Sequence, residues 1–297
     1  MITTFYFAIG RDYRKADLDI ALAVGQRHFL VPAGSLAARR LRSIPDIHVA
    51  LDSEAFPPDN PRRISLPDYW NTVLSWRRGP GDWGCLDWFA AYDTIGDPDK
   101  TQCDERQLCA LIAQDAPDAP LLKVVGFGMP SSVAATTILA QPLHGETRPS
   151  YGIGGLAVQR YSAAADRWYQ ELLNTLEHTA EVQRKGIRLH LFGIGKPSWV
   201  LRSAQGLVTS CDSSGPGRMA GVAGSRRIAM RYTPIYGIAI EQLQRSRAAR
   251  LAYYLADYRC VLGLPWKCPD EALFVDDPTQ LAALQHALSL ELPMAAL

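Results

Sequence analysis

The chain has 297 residues, of which 47% are hydrophobic, so it can bury a large core without disulfides or a structural metal. Its 31 Lys and Arg residues nearly balance 30 Asp and Glu residues, which excludes a global basic field that attracts nucleic acid indiscriminately. Six scattered cysteines exclude a disulfide scaffold, and no run approaches the ~20 apolar residues of a membrane helix, so we expect a cytoplasmic protein without membrane contacts.

Short apolar runs alternate with longer segments of helical period, which is typical of β/α units around a parallel sheet. The clearest helical segment is 163–184, and two further helices are predicted in the tail, over 240–258 and 278–292. The predicted strands are Thr4–Ile9, His48–Asp52, Leu86–Tyr92, Leu121–Gly126, Gly152–Val158, Arg188–Gly193 and Leu207–Asp212, with Ile228–Tyr232 as an eighth candidate.

Eight such units in roughly 250 residues match the size of a TIM barrel. We therefore predict an α/β fold, a (β/α)8 barrel over about 1–240 with a helical extension over about 240–297, in a single domain. A doubly wound sheet produces the same alternation with fewer strands. Its phosphate-binding fingerprint, G-x-G-x-x-G after a strand, is absent, and Gly195–Ser198 lacks the glycine-rich lead of a P-loop.

Three carboxylates, Asp52, Asp93 and Asp212, lie at the carboxyl ends of predicted strands. Each of them alone is equally well explained as a helix N-cap. In a barrel, however, the carboxyl ends of all strands meet at one opening, where the chemistry of this fold takes place. Two carboxylates at such an opening suit attack at the anomeric carbon of a sugar, with one as nucleophile and the other transferring a proton.

Glycines and aromatic residues lie near the same strand ends. Gly152, Gly154 and Gly155 interrupt a strand pattern, which indicates either close approach of a ligand or a barrel corner. Phe56 and Phe192 could cover the two faces of a flat base, since base–aromatic stacking contributes about 1–3 kcal/mol. For a single phenylalanine, a place in the hydrophobic core is the simpler interpretation.

In this order, the segments resemble those of the tRNA-guanine transglycosylase family, TIM-barrel enzymes that exchange guanine for a 7-deazaguanine. The family's Asp-Ser-Gly-Gly-Phe/Tyr segment resembles 52–56, and its Phe-Asp-Glu-Cys segment resembles 92–95. Its Gly-Gly-Leu-Ala-Val-Gly-Glu loop is matched with five identities from Gly154, and Leu-Met-Gly-Val-Gly-x-Pro resembles 191–197. The resemblance extends over about 4–231.

The resemblance implies a role for each matched residue. Asp212 would be the nucleophile and Asp52 the proton-transferring group. The residues that would bind the base are Asp93, Phe56, Phe192, Gly154, Gly155 and Leu156.

The chain also departs from the family pattern. Glu54 and Ala55 replace the two glycines after Ser53, and a base-reading Gln-Gly pair falls near Phe127-Gly128. The family's zinc motif, Cys-x-Cys-x-x-Cys with a later His, has no counterpart, because Cys260 and Cys268 stand eight apart. We therefore expect no metal and no other cofactor.

The Asp-Ser-Ser segment at 212–214 and the short chain resemble the DNA-guanine transglycosylase branch of deazaguanine DNA modification. This resemblance favours DNA over tRNA as substrate and a 7-deazaguanine, such as the 7-cyano form, as the incoming base. It also allows accessory proteins of a modification system as partners.

Arginines are concentrated after the expected nucleophile, with seven arginines and one acidic residue between 213 and 256. Arginine binds phosphates bidentately and positions a strand without reading its sequence. A solvated helix face accounts equally well for some of those at 245, 247 and 250. The residues predicted to contact phosphates are Arg218, Arg226 and Arg227.

Three alternatives remain open from the sequence. The same base exchange could take place in tRNA instead of DNA. A non-catalytic paralogue could retain the barrel and only present nucleic acid to another subunit, although retention of Asp52 and Asp212 argues against it. A sugar hydrolase on a similar barrel would use paired carboxylates but would not need the Gly-Gly-Leu loop.

Overall fold

The computed structural model describes residues 2–11, 13–55, 60–94, 97–140, 151–154, 163–179, 186–194, 206–221, 238, 243 and 246–268. The chain divides into two compact units. The first comprises Met1–Tyr13, Arg27–Gly215 and Val261–Leu264, and the second comprises Arg14–Gln26, Pro216–Cys260 and Pro265–Leu297.

The first unit contains a closed barrel of eight parallel strands, in which each strand pairs with its neighbour in sequence and β8 pairs with β1. The structure thus confirms the predicted (β/α)8 fold class. The strands are β1 (Thr4–Ala8), β2 (His28–Pro32), β3 (His48–Asp52), β4 (Leu86–Ala90), β5 (Leu121–Gly126), β6 (Tyr151–Gly154), β7 (Leu189–Leu191) and β8 (Val208–Ser213).

The second strand is the element that the sequence analysis missed. His28–Pro32 is short and ends in proline, a residue that argues against a central strand because it cannot donate a ladder hydrogen bond. Here the proline is the last residue of the strand, where it is tolerated. These eight strands close the barrel without the candidate strand 228–232, which lies outside the described residues.

Helices follow the strands, and three of the described helices begin with a polar side chain that caps the N-terminus. Ser35 Oγ accepts a hydrogen bond from Ala38 N (3.1 Å), and the side chain of Asp97 accepts one from Lys100 N (2.9 Å), as expected at helix N-termini. The helices are α1 (Lys15–Val24), α2 (Leu36–Leu41), α3 (Leu66–Leu74), α4 (Pro98–Asp115), α5 (Ser131–Leu139), α6 (Ala163–Glu177), α7 (Gly215–Gly221) and α8 (Arg247–Val261).

Strand residues alternate between the layer beneath the helices and the barrel interior. Phe29, Val31, Val49 and Leu51 are fully buried in the outer layer. The hydrophobic cluster inside the barrel contains Tyr6, Leu30, Ala50, Trp88, Ala90, Ala91, Leu122 and Val124. The interior is therefore a packed core, and a ligand can be bound only at its ends.

The second unit contains α1 and most of both α7 and α8. Arg250 is 7% exposed and donates to the carbonyls of Ala220 (2.9 Å) and Leu243 (3.1 Å), so it does not belong to a solvated helix face. Arg247 forms an ion pair with Asp17.

The helix predicted over 240–258 is described as α8, whereas the one predicted over 278–292 lies outside the described residues. The single-domain assignment stays a prediction.

None of the helices in the described part of the chain has the length and apolar character that crossing a membrane requires.

Candidate active site

A pocket of about 400 Å³ opens at the carboxyl end of the barrel. Asp52 is the last residue of β3, Asp212 lies near the end of β8, and Asp93 follows β4. All three line this pocket, because parallel strands in a closed barrel share one carboxyl end. The volume lies in the range of small-molecule sites, roughly 300–1,000 Å³.

Asp212 is buried in the wall of this pocket, where two groups contact its carboxylate. Its side chain is 4% exposed, and Oδ1 accepts a hydrogen bond from Gly193 N (2.9 Å). His190 Nε2 lies 3.3 Å from the same oxygen. Among the described residues, no donor contacts Oδ2 of Asp212. One carboxylate oxygen is therefore fixed by the protein, and the other is available for a reaction.

His190 is fully buried inside the barrel, between the strand ends and the core. Burial lowers the pKa of His190, although Asp212 opposes this shift, so the imidazole is neutral at pH 7. Its Nδ1 lies 2.9 Å from Ser210 Oγ. A hydrogen bond from Ser210 Oγ to Nδ1 leaves Nε2–H to donate to Asp212, which sets a single tautomer. The sequence analysis did not single out this histidine, although it shares a strand face with Phe192.

Asp52, in the same pocket, has an unusually high affinity for a proton. Burial, followed by the nearby charge of Asp93, raises the pKa of Asp52 to about 7. The hydrogen bond from Glu54 N to Asp52 Oδ1 (3.0 Å) partly opposes this shift. A carboxyl group that titrates near neutrality can both donate and accept a proton, as a general acid–base group must.

Asp93 lies on the pocket wall beside β6. Burial raises its pKa, whereas the hydrogen bond from Ser53 Oγ to Oδ1 (2.8 Å) and the charge of Arg63 oppose the shift. A Cβ built on Gly154 would lie 3.9 Å from Asp93 Oδ2, so this oxygen and the Gly154 backbone face the same space. A carboxylate beside bare main chain suits the N–H-rich edge of a purine-like base.

Arg63, in the loop between β3 and α3, supports this wall. Its guanidinium donates to the carbonyl oxygens of Ser53 (3.1 Å) and Asp93, and it lies 3.9 Å above the ring of Tyr92. It thereby connects the segments after β3 and β4. The sequence contained no signal for this role, because Arg63 lies in a loop without periodicity.

Glu54 and Arg11 form an ion pair at the pocket wall. Glu54 is 7% exposed and has a positive φ of 59°, a conformation that glycine adopts without strain. This is the first of the two positions at which the family pattern has glycine. Arg11 holds the side chain of Glu54 through two hydrogen bonds, one from Nε to Oε1 (2.6 Å) and one from Nη2 to Oε2.

Phe192 lines the pocket and packs edge-on against His190, with ring centroids 4.6 Å apart. A Cβ on Gly152 would lie 2.2 Å from Cε2 of Phe192. Glycine at 152 therefore makes room for this ring, which explains one of the glycines in the strand pattern.

The remaining predicted site residues are Arg218 and five residues that the structure does not describe. Arg218 is exposed on α7 in the second unit. Those that lie outside the described residues are Phe56, Gly155, Leu156, Arg226 and Arg227.

No histidine–cysteine–carboxylate group that could bind a metal occurs in the described part of the pocket; the group found among the described residues lies at the other end of the barrel. A search of protein-family models returns no match to this chain, and no curated protein matches it.

Proposed function

We propose that this protein is a guanine transglycosylase that exchanges guanine in DNA for a 7-deazaguanine through a covalent aspartyl-sugar intermediate. The observation that carries the proposal is the pair Asp212 and Asp52 in one pocket, the first buried with one oxygen held by the protein, the second with a pKa of about 7.

In the first half-reaction, Oδ2 of Asp212 attacks C1′ of a deoxyguanosine turned out of the duplex. The C1′–N9 bond breaks, and its electron pair leaves with guanine. Asp52 in its protonated form supplies the proton that guanine takes up. The product is an ester between Asp212 and the sugar, which keeps the strand attached to the protein.

In the second half-reaction, a 7-deazaguanine replaces guanine in the pocket. Its N9 proton passes to Asp52, N9 forms a bond to C1′, and the carboxylate of Asp212 is released. The proton that Asp52 donated is thus returned, and one glycosidic bond is exchanged for another. The exchange as written consumes no co-reactant.

The remaining residues of the pocket bind and orient the base. The carboxylate of Asp93 accepts N–H groups from the base edge, beside the Gly154 backbone. Phe192 offers a ring at the pocket wall, against which the base packs. Arg63 holds the wall in position through two carbonyl oxygens.

The proposal is tested by incorporation of a labelled 7-deazaguanine, with duplex DNA, single-stranded DNA and tRNA compared side by side. We expect label in DNA and a denaturation-resistant protein–DNA adduct in the absence of incoming base. Label in tRNA alone would favour the tRNA alternative. No label in any of the three, together with nucleic-acid binding, would favour the non-catalytic alternative.

A further inference from the structure

The amino end of the barrel, opposite the pocket, contains a cluster of side chains that the proposed function does not use. His28 and His48 are the first residues of β2 and β3, and Asp87 is the second residue of β4. In this fold the amino end usually contributes stability rather than chemistry. Two imidazoles and a carboxylate are uncommon in a purely stabilising position, because buried polar groups need hydrogen-bond partners.

Strand pairing brings the three residues together. His28 and His48 are direct partners in the parallel register, and their rings stack with centroids 4.5 Å apart and planes 13° apart. The pairing of β3 with β4 shifts between Val49 and Ala50, so that Asp87 is an extra residue in β4. A bulge of this kind re-aims a side chain. Here it directs Asp87 to His48, with Oδ1 2.9 Å from Nδ1.

Neighbouring residues orient the carboxylate. Tyr6 Oη donates to Asp87 Oδ2 (2.8 Å), and Trp88 Nε1 donates to Tyr6 Oη (3.1 Å). Outer hydrogen bonds of this kind are a regular feature of metal sites, in which they fix the ligand carboxylate. The cluster is also accessible, because the side chains of His48 and Asp87 are 50% and 25% exposed.

We propose that His28, His48 and Asp87 bind a divalent transition-metal ion such as Zn²⁺ at the amino end of the barrel, with water completing its coordination. Two imidazole nitrogens and one carboxylate oxygen are a preferred ligand set for such ions. One ligand atom from each residue lies within 4.8 Å of the other two. Metal–ligand bonds of about 2.0–2.2 Å require the three ligand atoms to move slightly closer together. The stacked imidazole rings must also rotate towards the ion.

The ion connects β2, β3 and β4, and it lies at the end of the barrel away from Asp212. We therefore assign it a stabilising role. The proposal is independent of the transglycosylase reaction, because no residue of the cluster lines the pocket.

The test is calorimetric titration of Zn²⁺ into the full chain, first stripped with a chelator, together with thermal unfolding and the absorption spectrum of the Co²⁺ form. We expect one saturable site, a higher Tm with Zn²⁺ and a Co²⁺ spectrum without thiolate bands. His48→Ala, His28→Ala and Asp87→Asn should each weaken binding about 100-fold and abolish the shift in Tm. His178→Ala, at an exposed position on the first unit, is the matched control and should bind as the wild type does.

His48→Ala is the decisive variant, because its half-exposed side chain can be removed without disturbing the core, even where Asp87→Asn fails to fold. Equal Zn²⁺ affinity in His48→Ala and the wild type would overturn the proposal. Thiolate bands from Cys103, Cys260 or Cys268, or the absence of a saturable site in the wild type, would overturn it too. The cluster would then be a hydrogen-bond network that stabilises the barrel without a metal.

Discussion

Nε2 of His190 lies 3.3 Å from Oδ1 of Asp212, and the two side chains are almost fully buried. Because Ser210 occupies Nδ1, the histidine presents a donor to the carboxylate. This contact orients Asp212 through Oδ1 and leaves Oδ2 without a donor among the described residues, as the proposed attack on a sugar carbon requires.

Loss of this donor should slow formation of the covalent adduct. His190→Phe keeps an aromatic ring among Trp88 and Phe192 but removes both nitrogens. A hydrogen bond to a charged group contributes about 1.5–3 kcal/mol, so kcat should fall by roughly 10- to 100-fold while KM for the base changes little. Single-turnover adduct formation measures this. An unchanged rate in a folded variant would remove His190 from the positioning of Asp212.

Asp212→Asn should abolish exchange and any covalent adduct, because an amide of nearly the same shape is not an anionic nucleophile. The measurement is gel mobility of labelled DNA after denaturation with the protein. Asp99→Asn, at an exposed position in the first turn of α4, is a control that should retain wild-type activity. Turnover by the Asp212 variant at the wild-type rate would eliminate it as nucleophile.

Asp52→Asn should allow some adduct to form but prevent its resolution, since the incoming base then has no group to accept its proton. Adduct should therefore accumulate to a detectable level and persist after 7-deazaguanine is added. Rapid quenching followed by denaturing electrophoresis measures both phases. If adduct disappeared at the wild-type rate, the proton-transfer role would belong to another residue.

The raised pKa of Asp52 also has a consequence for stability. The folded-state pKa of about 7 exceeds the ordinary value of 3.8, so the folded state binds the proton more tightly and the wild type loses stability as pH rises from about 4 to about 7. The loss is at most about 1.4 kcal/mol per pH unit. Asp52→Asn should lack this component, which urea unfolding at several pH values measures. Parallel pH dependence in both proteins would contradict the assigned pKa.

Gly152→Ala should displace the ring of Phe192, because the added Cβ would lie 2.2 Å from Cε2. Overpacking of this kind costs about 1–3 kcal/mol, and we expect weaker base binding as well. Gly79→Ala is the matched control, because a Cβ there has no atom within 4 Å. The double variant Gly152→Ala/Phe192→Leu should recover part of the lost stability. Additive losses in the double variant would indicate that the two residues are not coupled.

Replacement of Arg218, Arg226 and Arg227 by Ala tests the predicted binding of phosphates. Binding to nucleic acid should weaken for all sequences, and the slope of log affinity against log salt should flatten by about one unit for each phosphate that the variant no longer binds. Base binding in the pocket should be unchanged. At saturating DNA the exchange rate should recover, since Asp52 and Asp212 are intact. An unchanged slope of log affinity against log salt would indicate that these arginines are solvated surface residues that do not contact phosphates.

The sequence by itself determined the α/β barrel class and located seven of its eight strands, because apolar runs and strand-terminal polar residues are local signals. It also singled out Asp52, Asp93 and Asp212, since each directly follows an apolar run. It could not identify β2, whose terminal proline obscures the strand signal, and this strand is recognised only when the barrel closes around it.

Tertiary structure decided the rest. The contact of His190 with Asp212, the support from Arg63 and the placement of Asp87 by a bulge all depend on pairing between strands and loops that are far apart in sequence. The raised pKa of Asp52 likewise arises from burial and from neighbouring carboxylates. A pKa follows from the surroundings of a group, and those surroundings exist only after the barrel has folded.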